Sequence, residues 1–191
     1  MKTSLRAYVY GSRDYAQTVA RLAAECGVEV LGFVDDFAPP QAGVFRFDDL
    51  NPQAGGECGM LIGVGYNDLP GRWALWQRVR QAGWRTPSLV HPHAHVAPTA
   101  QLAEGCVVMS HAIVDHGAQL GQACVLWPQA NVSHDAHVGD NCFLSPQALL
   151  CGHARLGSHS FLGAASVVVD RACLPEGTRL KMGQAHTRRN P

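Results

Sequence analysis

Aliphatic side chains recur at every sixth position through the second half of the sequence. The register runs from Val90 to Leu180, and all sixteen of its positions are Val or Leu. The segment contains twenty-one Val and Leu residues in all, whereas random placement would put roughly three or four of them in one register. A period of six does not match the 3.6 residues per turn of an α-helix.

A second column of small side chains accompanies the aliphatic column. Four residues beyond each aliphatic position lies Ala, Cys, Ser or Thr, and only Gln184 departs from this rule. Both columns are typical of a hexapeptide parallel β-helix, in which each six-residue unit forms one face of a triangular prism and three units form a coil. The pattern predicts about five coils of eighteen residues, stacked about 4.8 Å apart.

Residues 6 to about 90 alternate short apolar runs with helical patterns instead. The pattern predicts strands at 6–11, 28–36, 60–65 and 86–90, and helices at 15–26 and 72–81. Strand, helix and strand at this spacing indicate a small parallel α/β sheet. We therefore predict a Rossmann-like α/β domain over residues 1–88 and a β-helix domain over residues 89–191.

The carboxyl ends of the predicted α/β strands are where such a sheet binds ligands. The first strand–helix junction could receive a phosphate at its helix N-terminus, although it lacks the full G-x-G-x-x-G pattern. Two adjacent acids after the second strand could accept hydrogen bonds from a ribose or a base, or could be solvated loop acids. The candidate substrate-binding residues are Gly11, Ser12, Arg13, Asp14, Tyr15, Asp35, Asp36 and Gly63.

The spacing of eighteen sorts the histidines of the predicted β-helix into columns. His116, His134 and Gly152 fall in one column, and Asp135 and His153 fall in the next. A histidine beside a carboxylate is the simplest general-base arrangement, because the acid holds one tautomer of the ring. Taken without other information, such a pair on a surface corner is more often only solvated.

Two further groups of polar or reactive residues have weaker functional interpretations. Three imidazoles at His91, His93 and His95 could converge on a metal, but a proline interrupts them and no carboxylate or thiolate nearby completes the ligand set, so we expect no metal. Cys106, Cys124 and Cys142 lie one coil apart in the small column. We interpret them as compact buried core residues.

Composition narrows the class of protein. The chain has 15 Lys and Arg against 15 Asp and Glu, so the positive field that nucleic-acid binding requires is missing. No apolar run approaches the eighteen or so residues of a membrane span, and no signal-peptide core follows the first residues. Seven cysteines without an export signal favour free thiols in the cytoplasm.

Five segments together resemble a known family. They are the first strand with Gly11, the run 32–36 (Gly-Phe-Val-Asp-Asp), the loop 63–65 (Gly-Val-Gly), the run 90–92 (Val-His-Pro) and the hexapeptides with 132–135 (Val-Ser-His-Asp). The combination is similar to the sialic acid O-acetyltransferases and nucleotide-amino-sugar N-acetyltransferases of the NeuD and PglD type. The resemblance covers nearly the whole chain.

The resemblance implies a homotrimer of left-handed β-helices with active sites between subunits, an α/β domain that holds a nucleotide sugar, and acetyl-CoA as co-substrate. His134 matches the general base, Asp135 the acid beside it, and the main-chain N–H of Gly152 the donor to the thioester oxygen. Acetyl-CoA would run past Phe143 and Ala164. The implied function is N-acetylation of a nucleotide-linked amino sugar of the 4-amino-dideoxy type, for surface polysaccharide or glycan biosynthesis.

The sequence departs from the family pattern at three places. The usual glycine-rich turn with an embedded His is replaced by 13–16 (Arg-Asp-Tyr-Ala), a family His by Phe143, and the closing Gly-x-Pro-Ala by 182–185 (Met-Gly-Gln-Ala). Three alternatives stay open. They are an O-acetyltransferase for a sugar hydroxyl, a zinc enzyme like the γ-carbonic anhydrases, and a non-catalytic trimeric sugar-binding protein.

Overall fold

The computed structural model of the protein describes residues 5–52 and 58–188. The chain divides into two compact units, Met1–Pro87 and Ser88–Pro191. Neither helix in the described part of the chain has the length and apolar character needed to cross a membrane.

The first unit contains a parallel sheet of four strands with two helices. Its elements are β1 (Arg6–Tyr10), α1 (Asp14–Glu25), β2 (Glu29–Val34), β3 (Val44–Phe45), β4 (Cys58–Ile62) and α2 (Leu69–Gln81). The strand order is β3-β2-β1-β4, which is the order of half a Rossmann fold. The predicted Rossmann-like α/β fold is therefore confirmed.

Local sequence explains where the helices of this unit begin. Helix α1 begins three residues after Gly11, with Arg13 as its N-cap, and buries Ala16, Val19 and Leu22 along one side, as an amphipathic pattern requires. Helix α2 begins after Asp68, whose carboxylate accepts a hydrogen bond from the main-chain N–H of Gly71 at 2.9 Å. A proline at its first turn fits the position where the helix needs no N–H donor.

The predicted strand at 86–90 is wrong as a member of this sheet. Leu89–Val90 pairs with Val107–Val108 of the second unit, and an isolated bridge between Gly59 and Arg85 extends the first sheet. Pro87 explains this end, because it has no N–H to continue the ladder. The two-residue strand β3 is not in the prediction, since it is too short to show a period.

The second unit is a β-helix whose strands form three parallel sheets. Face one contains Leu89–Val90, Val107–Val108, Val125–Leu126, Phe143–Leu144, Phe161–Leu162 and Arg179–Leu180. Face two contains His95–Val96, Ile113–Val114, Asn131–Val132, Leu149–Leu150, Val167–Val168 and Ala185–His186. Face three contains Gln101–Leu102, Gln119–Leu120, His137–Val138, Arg155–Leu156 and Cys173–Leu174.

The strand register confirms that residues eighteen apart lie one above another. On face one, Leu126 pairs with Val108 on one side and with Leu144 on the other. The aliphatic and small columns form one continuous apolar core inside the prism. Val90 is an exception, because it lies at the end of the ladder and is 38% exposed. The left-handed β-helix implied by the family resemblance is confirmed.

The corners of the prism hold ten non-glycine residues in the left-handed backbone region, with φ between 53° and 62°. They include Asp135 and His153. Such a conformation costs a non-glycine residue roughly 1–2 kcal/mol, and hydrogen bonds between coils hold it here. The main-chain N–H of Asp135 donates to His116 O at 2.9 Å, and that of His153 donates to His134 O at 3.1 Å.

The three column cysteines are fully buried in the core, as predicted. Cys106, Cys124 and Cys142 have no exposed surface, and all seven cysteines of the chain are free thiols. The Cys124 thiol donates to Gly139 O at 3.0 Å. Burial raises the pKa of this thiol well above its usual value, which keeps it protonated.

Candidate active site

His134 and Asp135 lie side by side on the corner between face two and face three. His134 Nδ1 is 3.1 Å from Asp135 Oδ2. Because an ionised carboxylate only accepts hydrogen bonds, Nδ1 carries the proton of the neutral ring and Nε2 keeps a free lone pair. The side chains are 55% and 54% exposed, so a substrate can reach them.

The charge state of Asp135 supports this arrangement. The hydrogen bond from His134 lowers the pKa of Asp135, and nearby His153 contributes in the same direction. Asp135 is therefore ionised at neutral pH and available to hold the His134 proton on Nδ1.

Gly152 lies one coil beyond His134 and faces its free nitrogen. A Cβ atom at position 152 would be 2.6 Å from His134 Nε2 and 2.7 Å from its Cε1, closer than any side chain can approach. Within residues 5–52 and 58–188, the main-chain N–H of Gly152 forms no hydrogen bond. The structure therefore places a ring nitrogen with a lone pair and a main-chain N–H group without a hydrogen bond on neighbouring coils, and acyl transfer needs a base and a donor of these kinds.

His153 approaches the same pair from the next coil. Its Nε2 is 3.9 Å from Asp135 Oδ2, and its ring meets that of His134 edge to face at 5.1 Å between centroids. The spacing of eighteen placed His153 in the column of Asp135, but it is not among the predicted site residues. The spacing of eighteen residues between Asp135 and His153 is the sequence signal that identifies His153.

His116 is the remaining histidine of this column, one coil before His134. Its Nδ1 lies 3.1 Å from the hydroxyl of Thr99. Between the two coils, Gly117 leaves the space that the Asp135 carboxylate occupies, since a Cβ there would overlap Asp135 Oδ1. His116 thus has a different partner from His134.

The two residues predicted to contact acetyl-CoA differ in exposure. Phe143 is 1% exposed and its ring packs against Phe161, with 6.0 Å between centroids, and against Trp127 at 6.1 Å. Ala164 is half-buried. Contact of either residue with CoA stays a prediction.

A groove of about 550 Å³ runs along face three. Its lining includes Gln119, His137 and Arg155, together with Gly121 and Gly139. None of the predicted site residues lines it. The groove adds an open concave surface to the second unit, on the face that begins three residues after His134.

In the first unit, the predicted glycines allow the ends of two strands and a helix to approach closely. Gly11 has φ 115°, and a Cβ there would be 2.8 Å from Gly63 O. A Cβ at Gly63 would be 2.7 Å from Ala16 Cβ on helix α1. Both positions therefore require glycine for packing at the carboxyl edge of the sheet.

Asp35 is held at this edge by Ser12 and by its own loop. The Ser12 hydroxyl donates to Asp35 Oδ2 at 2.5 Å, and the main-chain N–H groups of Phe37 and Ala38 donate to Oδ1 at 2.9 and 3.0 Å. Although partial burial acts in the opposite direction, these hydrogen bonds lower the pKa of Asp35. The structure thus brings Gly11, Ser12, Asp35 and Gly63 to one edge.

Asp36 belongs to a different network. Its Oδ2 accepts hydrogen bonds from the Tyr10 hydroxyl at 2.6 Å and from Arg78 at 2.8 Å, while Oδ1 accepts from the main-chain N–H of Phe47 at 2.9 Å. Arg78 also pairs with Asp48 at 2.9 Å. These contacts give Asp36 a structural role, and its contact with a substrate stays a prediction.

The other predicted residues of the first unit lie at the start of helix α1. Arg13 and Asp14 are exposed, and Tyr15 is half-buried. Burial raises the pKa of Tyr15 to about 12, against the opposing charge of Arg72. Arg13 is therefore the exposed cation of this junction, and its contact with a phosphate stays a prediction.

The histidines at the start of the β-helix contact each other in pairs. His91 Nδ1 accepts a hydrogen bond from the main-chain N–H of His93 at 2.9 Å, and the His93 ring lies 5.8 Å from that of His111. Across the described ranges, the one set of three ligating side chains within 4.8 Å of each other is His134, Asp135 and His153. The His91 cluster is not such a set.

The hexapeptide β-helix and the Rossmann-like unit together form the fold that is shared by the sugar acetyltransferases among the solved structures similar to this chain. No family model matches the sequence, and no curated protein matches it. Solved structures do match. The acetyltransferase domain of PglB from Neisseria gonorrhoeae FA1090 is 26% identical with a TM-score of 0.86, over 97% of this chain and 93% of that chain.

A second similar structure is a GDP-perosamine N-acetyltransferase from Caulobacter crescentus, in which a histidine is replaced by alanine, in complex with CoA and GDP-perosamine. It is 25% identical with a TM-score of 0.87, over 96% of this chain and 89% of that chain. The PglB domain is also known in complex with acetyl coenzyme A. These neighbours confirm the resemblance to hexapeptide-repeat sugar acetyltransferases that was predicted from the sequence.

Proposed function

We propose that the protein transfers an acetyl group from acetyl-CoA to the amine of a nucleotide-linked amino sugar, of the 4-amino-dideoxy type. The observation that carries the proposal is the placement of the free Nε2 of His134 against the backbone of Gly152, with Asp135 on the other ring nitrogen. The similar structures support this choice, because one acts on perosamine and was solved with CoA and GDP-perosamine.

In this proposal each group has its own step in acyl transfer. His134 Nε2 takes a proton from the sugar amine as the nitrogen attacks the thioester carbonyl, so that the C–N bond forms. The C–S bond then breaks, and the CoA thiolate leaves with the proton that His134 has taken. Asp135 stabilises the imidazolium between these events, and the Gly152 N–H donates to the developing oxyanion.

A positioned base of this kind contributes about 10²–10⁴-fold to the rate. The remainder comes from alignment of the amine with the thioester, which can supply about 7–11 kcal/mol of the barrier. Alignment requires protein surface around both substrates. The exposed corner of one chain is therefore not a complete active site in this proposal.

We expect a second subunit and the first unit to supply the surface that aligns the two substrates. We expect a homotrimer with active sites between subunits, and face two carries the half-buried apolar residues Ile113, Leu149 and Val167 that a neighbouring chain would cover. We expect acetyl-CoA to pass Phe143 and Ala164. The nucleotide sugar would contact the edge of the first unit formed by the candidate substrate-binding residues.

The biological setting proposed is surface polysaccharide or glycan biosynthesis in the cytoplasm. Seven free cysteines are compatible with a reducing compartment. Neither nucleic acid nor a membrane is among the partners we expect.

The decisive test compares His134→Ala with His116→Ala. The purified proteins are given acetyl-CoA and a panel of GDP-, UDP- and dTDP-linked amino sugars, and the acetylated product is measured by chromatography. We expect His134→Ala to lose at least about a hundredfold in kcat with an unchanged thermal midpoint. His116 lies one coil before, with Thr99 as its partner, so His116→Ala should keep most of the activity.

The same panel separates the alternatives. Acetylation of a sugar hydroxyl and of no amine would replace the proposal by an O-acetyltransferase. Zinc-dependent hydration of carbon dioxide would favour an enzyme of the γ-carbonic anhydrase kind. Binding of a sugar without turnover, unchanged in His134→Ala, would indicate a non-catalytic protein.

A further inference from the structure

The corner that holds the candidate base also brings together three metal-ligating side chains. His134, Asp135 and His153 each offer one ligand atom, and these atoms lie within 4.8 Å of one another. Asp135 Oδ2 is 3.1 Å from His134 Nδ1 and 3.9 Å from His153 Nε2. Ligand atoms about 2.0–2.2 Å from a tetrahedral Zn²⁺ lie about 3.3–3.6 Å apart. The two distances to Asp135 are within a few tenths of an ångström of this range, and the His134–His153 pair, within 4.8 Å, has to close by at most about 1.5 Å.

The backbone holds the three residues in place while their side chains stay adjustable. The main-chain N–H of His153 donates to His134 O at 3.1 Å, which fixes the two coils relative to each other. The three side chains are between 41% and 55% exposed, so rotation costs little. An ion can also enter from solvent without opening the core.

The donor set selects the kind of ion. Two imidazoles and one carboxylate suit Zn²⁺, Co²⁺, Ni²⁺ and Cu²⁺, whereas Mg²⁺ and Ca²⁺ prefer oxygen ligands. With three protein ligands, one or more positions on the ion remain for water.

We propose that His134, Asp135 and His153 form a binding site for Zn²⁺ and similar ions, and that occupancy of this site stops acetyl transfer. This inhibition rests on the proposed function, whereas the metal site does not. The ion would bind the Nδ1 lone pair of His134, where the proton now lies. The neutral ring carries one proton before and after this change. The Nδ1 proton is lost to solvent, and a proton from solvent binds Nε2.

That change of tautomer removes the base. Nε2 faces Gly152 and is the atom that would take the proton from the amine, and with a proton bound it has no lone pair to offer. The ion also takes the carboxylate that would stabilise the imidazolium. A metal bound at this corner is therefore an inhibitor in this proposal, in contrast to the zinc of a hydrolytic enzyme.

Metal binding is tested first on the protein without substrates. A Cys173→Ser background removes the exposed thiol, which would also bind these ions. Co²⁺ is titrated and followed by its visible absorption bands, and Zn²⁺ is then used to displace it. His153→Gln is the test variant and His111→Gln is the matched control, because both histidines occupy left-handed corners and Gln already stands at two such corners, Gln129 and Gln147.

We expect Co²⁺ to bind the parent and the control equally, and to bind His153→Gln at least about tenfold more weakly, since even loss of a group that only supports a metal ligand costs about 10–100-fold. Zn²⁺ should inhibit acetyl transfer, measured by chromatography of the product. The inhibition constant should rise in His153→Gln by the same factor, and Mg²⁺ should have no effect.

Equal Co²⁺ affinity in the parent and in His153→Gln would overturn the metal site. Binding that depends on His153, together with acetyl transfer that persists when Zn²⁺ saturates the site, would overturn the inhibition. Binding that depends on His153 in a protein that acetylates none of the sugar nucleotides would keep the metal site and refute the proposed function instead.

Discussion

Replacement of Gly152 by Ala tests the geometry of the candidate site most directly. The added Cβ would lie 2.6 Å from His134 Nε2 and 2.7 Å from Cε1, which is closer than the two groups can remain. The imidazole is 55% exposed and has solvent to rotate into. We therefore expect His134 to move away from its position beside Asp135 while the coil itself keeps its fold.

The expected effect on activity is large and the expected effect on stability is small, because the base is displaced while the fold is kept. Loss of an aligned base lowers kcat/KM about 10²–10⁴-fold, which corresponds to about 3–5 kcal/mol of barrier. The free energy of unfolding should change by less than about 1 kcal/mol, because only an exposed side chain has to move.

Gly139→Ala is the matched control on the same prism. There the added Cβ would lie 2.6 Å from the main-chain nitrogen of Ser158. Ser158 lies in a turn whose carbonyl accepts a hydrogen bond from Gly177 N–H of the next coil, so its backbone cannot rotate away as an exposed side chain can. Neither Gly139 nor Gly152 is in the left-handed region, so the two variants differ only in what the methyl meets. We expect Gly139→Ala to lose about 1–3 kcal/mol of stability.

Both variants are measured by urea denaturation and by steady-state acetyl transfer. We expect opposite outcomes, with activity lost in Gly152→Ala and stability lost in Gly139→Ala. Full activity in Gly152→Ala would refute the placement of the base against this glycine. A loss of stability in Gly152→Ala as large as that in Gly139→Ala would show that the His134 ring is not free to move.

Two further substitutions test neighbouring contacts. Asp135→Asn should lower kcat about a hundredfold or more, because an amide donor to Nδ1 moves the ring proton to Nε2. The pKa of Asp135 is lowered in the fold, so its stabilising effect is present above about pH 4 and is lost as pH falls through the folded pKa. The melting temperature of Asp135→Asn should therefore change less between about pH 5 and pH 3 than that of the unchanged protein. Parallel curves of melting temperature against pH for the two proteins would contradict this. Tyr10→Phe removes the 2.6 Å hydrogen bond to Asp36 and should lower the free energy of unfolding by about 1 kcal/mol in urea, whereas an unchanged midpoint would show that Arg78 and Phe47 satisfy Asp36 without it.

The β-helix could be predicted from the sequence because its period is local and repeated. Every coil imposes the same demand, an aliphatic residue at one position and a small one four residues later, so errors at single positions do not shift the register. That register alone placed Gly152 above His134 and His153 above Asp135. The distances between their side chains could not be predicted, since sequence spacing does not determine side-chain rotamers.

The ends of the strands and helices in the α/β unit were harder to predict, because each of these elements occurs only once and no repeat fixes its limits. The strand at 86–90 shows the difficulty, since an apolar run between two units can pair with either sheet and Pro87 decides the outcome. The buried ring of Phe143 shows a second difficulty of prediction from the sequence. Alternation predicts that a strand residue beside an inward Leu points outward, but it does not say what covers the outward side.

The stacking of coils has a consequence for changes in chain length. Duplication of eighteen residues outside 134–153 would lengthen the prism by one coil, about 4.8 Å, and leave the site intact. Insertion of a single hexapeptide between Asp135 and Gly152 would move every later residue to the next face and carry Gly152 a third of a turn from His134. The site therefore requires one coil, neither more nor less, between His134 and Gly152, whereas the prism can change in length elsewhere.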